Sequence, residues 1–298
     1  EKLFLNDAQA AVTNDGRRTT YCLSQNQPAA THAMGTRWDI SPTQDDVAVC
    51  CTPNAGKILP ILARRMIALA DELVSFQLYG PMQATLQIQG QPVSIKQDTA
   101  YPFEERITAL IGAPGLRFTA EFRIPAWCRQ AEIKVIGAKD IEQVRLSDRF
   151  QITATWGPDS KVELDLPQEL THRLIPDGRY VFDVGPLVFS VPIAHVAIDY
   201  REYKLEGYAD QDIVPANAKW TYPPTFREPD LATAKVVRSS LPKGTYPWSD
   251  QPTISITTSC WNPNPHEDKD LDITALNSVT LVPMGTTILR WTAFPPGR

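Results

Sequence analysis

Two adjacent thiols open the stretch "CCTPNAGKILPILARRM", at Cys50 and Cys51 of a 298-residue chain with only five cysteines. Thr52 and Pro53 follow, then apolar residues at Ile58, Leu59, Leu62, Met66 and Ile67 with helical spacing. This order predicts a helix that Thr52 caps and Pro53 enters, with Pro60 kinking it or shortening its first segment. A thiol at the mouth of a helix meets unpaired N–H groups and the positive end of the macrodipole. Both favour the thiolate, the form that attacks carbon or binds a metal. Small buried cysteines that do no chemistry are also common, and a vicinal pair is sometimes an accident or a strained vicinal disulfide. A zinc ion needs four ligands, and two neighbouring cysteines supply two at most. No Cys-x-x-Cys or His-x-x-x-His supplies the rest, which leaves Cys22 and His32 as the other candidates.

Other chemistry-bearing types are more scattered. Arg37, Trp38 and Asp39 lie on the approach to the cysteines, and a tryptophan among charged neighbours suits sugar stacking and hydroxyl recognition as well as it suits a packing plug. Asn54 reads as a helix-end residue. Glu104 and Glu105 are paired carboxylates, but neighbours on a strand face opposite ways, which favours a solvated edge over acid/base work. His172, His195 and His266 lack ligand spacing, and Trp127, Trp156 and Trp291 read as core.

The elements that must position these groups change character once. Up to residue 72 the chain reads as helical, with a stripe at Leu3, Phe4, Ala8, Ala11 and Val12 that Asp15-Gly16 ends, and a polar loop over 17–49. From Leu73 the apolar period becomes two. "LRFTAEFRIPAW" alternates cleanly, and 150–156, 161–167, 179–192, 253–261, 278–283 and 286–294 read as strands too. Residues 197–250 are weakly patterned and read as a surface excursion. The fold class expected is therefore mainly β with an N-terminal α segment. Its expected divisions are a helical part over 1–72, a first antiparallel β-sandwich over 73–175 and a second over 176–298. Leu3, Phe4, Ile58, Leu62 and Met66 are too many apolar residues for one helix pair to hide, so an exposed face is expected. A formal charge of −5 gives no basic face for nucleic acid or an anionic membrane, and no apolar run has the length of a membrane span. Five irregularly spaced cysteines are no secreted disulfide framework.

The cysteine segment resembles the Cys-Cys-x-x-Asn segment of glycoside hydrolase family 127, the β-L-arabinofuranosidase-like proteins. "AYPFEERITALI", "LRFTAEFRIPAWCRQAEIKVIG", "VELDLPQEL", "GRYVFDVGPLVFSVPI", "VPANAKWTYPP" and "SVTLVPMGTTILRWTAFP" follow in the family's order, the Trp-x-Tyr being a feature of a divergent branch. The resemblance implies the last helices of an (α/α)6 barrel followed by two β-sandwiches. It implies a retaining, zinc-dependent glycosidase of bacterial cytoplasm or periplasm. In it Cys50 is the nucleophile and a zinc ligand, Cys51 is a zinc ligand, and a plant-type, arabinose-containing glycan is the substrate. The family's upstream Glu-x-Cys zinc ligands and its acid/base glutamate have no counterpart in these residues. The expectation is the C-terminal part of a longer enzyme, inactive alone and partnered by the N-terminal barrel portion or a chain supplying it. The alternative is a non-catalytic β-sandwich that binds carbohydrate or serves as an accessory.

Overall fold

A computed structural model describes residues 1–34, 37–44, 50–217, 222–227, 231–240, 247–249, 251–261 and 276–296. The chain divides into two compact units, Lys57–Glu169 and Glu1–Gly56 together with Leu170–Arg298. The fold is mainly β, in sandwich-like sheets with few helices.

The chain opens with a π-helical turn over Phe4–Ala8. Strands β1 (Thr19–Thr20) and β2 (Ile40–Ser41) pair antiparallel, with Thr19 opposite Ser41 and Thr20 opposite Ile40. A 3-10 turn over His32–Met34 lies between them, and helix α1 (Cys51–Ala63) follows. These strands correct the reading of 17–49 as loop within a helical segment. Two-residue strands carry no period; they form because Thr20, Ile40 and Ser41 are buried and need paired backbone groups. The helix is continuous through Pro60, and none of its residues is buried. Of the residues expected to form an exposed face, Leu3 is exposed and Phe4, Ile58, Leu62 and Met66 are half-buried, while Leu59 and Ile61 are exposed, at 65% and 58%.

Next come β3 (Ile67–Ala70), β4 (Leu73–Phe76), β5 (Met82–Ile88), β6 (Gln91–Asp98), β7 (Arg106–Gly112), β8 (Arg117–Arg123), β9 (Glu132–Ile136), β10 (Lys139–Arg145), β11 (Arg149–Thr155) and β12 (Ser160–Asp165). The change to strand thus precedes Leu73: β3 folds back on β4 through Asp71, whose φ of 51° is left-handed. The sheets run β10-β11-β8-β4-β3 and β5-β6-β7-β12-β9. Phe118, Ala120 and Phe122 of β8 are buried, as the alternation requires, and Phe122 stacks on Phe76 with ring centroids 4.3 Å apart. Trp156 is core as expected, 1% exposed, and its indole N–H donates to the carbonyl of Phe118 at 3.0 Å. Between β5 and β6, Gln89 and Gly90 both take positive φ (52° and 73°), the two-residue turn that matches strand twist.

The chain then returns to the first unit with β13 (Leu170–Leu174), β14 (Tyr180–Val184), β15 (Leu187–Pro192), β16 (His195–Glu202), β17 (Ala209–Pro215), β18 (Lys235–Arg238), β19 (Ile254–Trp261), β20 (Leu276–Pro283) and β21 (Arg290–Trp291). One sheet runs β13-β14-β15-β20-β19-β18, with β21 on β15, over an aromatic cluster of Phe182, Phe226 and Phe294. A second, β1-β2-β17-β16, carries the segments around the cysteines. The hairpin of β16 and β17 replaces the expected excursion; β16 is exposed on both faces, so no alternation marked it. Residues 286–294 are not one strand. Thr286 and Thr287 turn their hydroxyls back to the carbonyls of Pro283 and Met284, both at 2.8 Å, and close a 3-10 turn instead. Trp220 of the Trp-x-Tyr feature and His266 lie outside the described residues.

Candidate functional site: a thiol pair at the mouth of a helix

The carbonyl of Cys50 accepts the N–H of Asn54 at 3.1 Å, the first helical bond of α1. Cys50 therefore holds the cap position, not Thr52, and its side chain stands where the helix's unpaired N–H groups gather. Thr52 instead meets Thr19 hydroxyl to hydroxyl at 3.0 Å, which ties the first turn of α1 to β1.

Sγ of Cys50 lies 3.6 Å from Sγ of Cys51 and 3.4 Å from the hydroxyl oxygen of Tyr21. Both thiols are free and half-buried. As a thiol, Cys50 donates to Tyr21; once ionised it accepts from Tyr21 and from Cys51. That reversal draws its pKa below the ordinary thiol value: the Tyr21 hydrogen bond is the largest cause, the Cys51 hydrogen bond the next, and the Arg37 charge adds to them. Cys51 is pushed the other way, first by burial and then by its charged neighbour. Tyr21 is raised as well, since its proton holds the thiolate. One cysteine is thus poised to ionise and its neighbour to remain a donor.

Arg37 lies 4.4 Å above the Tyr21 ring, a cation–π contact, and its carbonyl accepts the N–H of Cys22 at 2.8 Å. Its φ of 111° is a conformation side chains rarely adopt, which places local strain beside the thiols. Asp39 turns inward: it is 7% exposed and accepts from the hydroxyl of Tyr200 at 2.8 Å. Trp38 is half-buried between them. His32 pairs with Asp212 at 2.7 Å and packs tilted against Tyr200, and among the described residues neither it nor Cys22 completes a metal-holding group with the cysteine pair. Glu104 is exposed, and Glu105 accepts the N–H of Gln168. Sequence reasoning missed Tyr21, which stands 29 residues before Cys50 and directly follows the paired strand β1.

Zinc with thiolate bonds of about 2.3 Å in tetrahedral geometry spaces its sulfurs about 3.8 Å apart. The 3.6 Å between Cys50 and Cys51 fits two corners of such a site. Among the described residues no group of three or more His, Cys, Asp or Glu is placed to hold a metal ion, so the other corners are not filled from them.

Residues 73–168 match the family model described as beta-L-arabinofuranosidase, GH127 middle domain. The chain as a whole resembles GH127. Over 97% of its length it superposes on a GH127 beta-L-arabinofuranosidase from Geobacillus stearothermophilus T6, at 16% identity and a TM-score of 0.63. It superposes over 99% on a protein described as a glycoside hydrolase and over 99% on a further GH127 beta-arabinofuranosidase, each at 17% identity and a TM-score of 0.70. At these identities the likeness to the GH127 structures is one of fold. The chain spans 44%, 47% and 44% of the length of those three. No curated protein matches it.

Proposed function

We propose that this chain is the C-terminal part of a retaining glycoside hydrolase of the GH127 kind, with Cys50 as nucleophile, acting on a plant-type glycan that carries arabinofuranose. The observation that supports this most is the thiol pair. Cys50 stands half-exposed at a helix mouth, its thiol donating to the Tyr21 hydroxyl at 3.4 Å and its sulfur 3.6 Å from that of Cys51.

The Cys50 thiolate attacks the anomeric carbon as the bond to the leaving oxygen breaks, and a general acid outside the described residues protonates that oxygen. Water then displaces the sulfur from the opposite face, giving its proton to that same group, now a base, so configuration is retained. Tyr21 and Cys51 hold the thiolate before attack and receive it again afterwards. Arg37 and Trp38 retain surface to offer sugar hydroxyls and a sugar face, while Asp39 fixes their loop through Tyr200. Cys50 and Cys51 would hold a zinc ion together with ligands from elsewhere in the parent protein, and that ion would lower the thiol pKa further. The open apolar surface of α1, at Leu59 and Ile61, is the face that the upstream barrel portion, or a chain supplying it, would cover.

The test is made in the parent protein with an aryl arabinofuranoside, measuring turnover and bound metal together. Cys50→Ser abolishes turnover with the fold intact, because a serine hydroxyl stays protonated at neutral pH. Cys51→Ser loses metal first and turnover in consequence. Full activity in Cys50→Ser discards the nucleophile assignment. The thiol pair supplies only two metal donors, which also favours a second reading, a non-catalytic sandwich that binds carbohydrate. Retained glycan binding with no turnover in the parent protein would select it.

A further inference from the structure

The sheet β5-β6-β7-β12-β9 buries one row of side chains and turns the alternate row outward. Val93, Ile95, Ile107, Ala109 and Ile111 are buried, so Ser94, Lys96 and Leu110 face out. The register aligns the outward row in two rungs. Thr85, Ser94 and Gly112 lie opposite one another across β5, β6 and β7, and so do Gln83, Lys96 and Leu110. The turn before β12 adds Pro158 and Asp159, and together these residues line a hollow of about 540 Å³. That size falls within the roughly 300–1,000 Å³ of small-ligand sites. None of the lining residues belongs to the thiol site.

Gly112 makes the hollow. A Cβ there would strike the Ser94 hydroxyl and stand 3.0 Å from the Pro158 carbonyl oxygen, so a larger residue would fill the space. The turn that forms the wall is pinned by its own bonds. The Ala113 N–H donates to the Gly157 carbonyl at 2.9 Å. The Ser160 hydroxyl accepts the Gly157 N–H at 2.8 Å and donates to the Gly137 carbonyl at 2.9 Å. Elsewhere on this outward face the charges satisfy one another: Lys161 pairs with Glu163 at 2.7 Å, and Arg106 grips Asp165 with two bonds of 2.7 and 2.9 Å. Around the hollow they do not. Among the described residues no hydrogen bond or ion pair engages the side chains of Gln83, Thr85, Ser94, Lys96 or Asp159.

These groups decide the ligand. One ammonium and one carboxylate line the hollow, so Asp159 repels any anion that Lys96 attracts, and the reverse holds for a cation. An apolar ligand would strip water from the amide, the hydroxyls and both charges and put nothing in its place. Sugar hydroxyls both donate and accept, so they can meet every one of these groups. Leu110, 37% exposed, offers an apolar surface to the C–H face of a ring. Neighbouring strands stand ~4.8 Å apart, which lets one ring reach side chains of two strands at once. We propose that this hollow is a binding site for a neutral glycan chain, held by Gln83, Thr85, Ser94 and Lys96 with a ring face on Leu110. The inference rests on the proposed function only in its choice of an arabinose-containing glycan.

The experiment measures binding of linear arabinan, a neutral polymer, to the 298-residue chain by titration calorimetry. The unmutated chain binds it. Lys96→Ala weakens binding about fivefold, the worth of one hydrogen bond, and Leu110→Asp abolishes it. In the parent protein both variants keep full turnover of an aryl arabinofuranoside. No arabinan binding by the unmutated chain, unchanged affinity in either folded variant, tighter binding of the anionic polymer polygalacturonate, or turnover lost in folded Lys96→Ala would each overturn the proposal. Should Leu110→Asp fail to fold, the Lys96 arm decides alone. Absent turnover in the unmutated parent protein bears on the proposed function and leaves this binding untouched.

Discussion

Two neighbouring thiols in one chain segment take opposite environments. Cys50 is stabilised as an anion by Tyr21 first and Cys51 second, whereas Cys51 is held neutral by burial. The pH dependence follows from the sign of each shift. A lowered pKa means the Cys50 thiolate fraction rises at lower pH than that of an ordinary cysteine, and a raised one means Cys51 follows at higher pH. Rates of iodoacetamide labelling measured against pH should therefore show Cys50 reacting first, and Tyr21→Phe should move its midpoint upward. Equal midpoints for the two cysteines would contradict this account. The cysteines themselves were legible in the sequence, because their type and their place before a helical pattern announce chemistry. Tyr21 and Arg37 were not legible as partners. Neither spacing nor period connects positions 21, 37 and 50, and in the fold Tyr21 directly follows the paired strand β1.

At the scale of elements, legibility tracked burial on one face. Strands β8, β11 and β12 bury alternate residues and could be read off directly, while β10, exposed along its whole length, and β16, exposed on both faces, left no pattern. Even β8 hides an exception. Glu121 lies on its polar face and is still buried, because Ser75, Arg149 and Gln151 all donate to its carboxylate. On the apolar face, Phe122→Ala should cost about 3–5 kcal/mol, as large-to-small changes of buried aromatics do, read from urea unfolding. The hairpin of β16 and β17 carries a different load. Asp210 is 2% exposed and accepts from Tyr203, and burial raises its pKa despite Arg201 nearby. A carboxyl whose folded pKa is raised binds its proton more tightly when folded. Its contribution is thus present below the unfolded pKa and is lost as pH rises through the folded one. Asp210→Asn should flatten that fall in melting temperature as pH rises above the ordinary carboxyl value of 3.8. An unaltered slope would show that Asp210 does not carry it.

Across the whole molecule, no group of three or more His, Cys, Asp or Glu among the described residues is placed to hold a metal ion, and the chain spans less than half the length of the GH127 structures it superposes on. The account therefore expects the isolated chain to hold zinc weakly, with metal lost on dialysis against a mild chelator. Stoichiometric zinc that survives dialysis would mean that other residues of this chain complete the site. No helix among the described residues is long and apolar enough to cross a membrane. The run of strands after α1 was legible from the change of period, whereas β1 and β2, which precede α1, were not. The division at residues 57 and 169–170 was not, because the first unit is assembled from both ends of the chain. That assembly is what brings β17 against β2, and with it the loops around the cysteines. The central claim is that Cys50 forms a bond to sugar. Its most direct measurement is to incubate the parent protein with a 2-fluoro arabinofuranoside that slows the second step, digest it, and map the adduct by mass spectrometry. The account predicts one fluoroarabinosyl group on the sulfur of Cys50, absent in Cys50→Ser. An adduct on a carboxylate instead, with Cys50 unmodified, would contradict it.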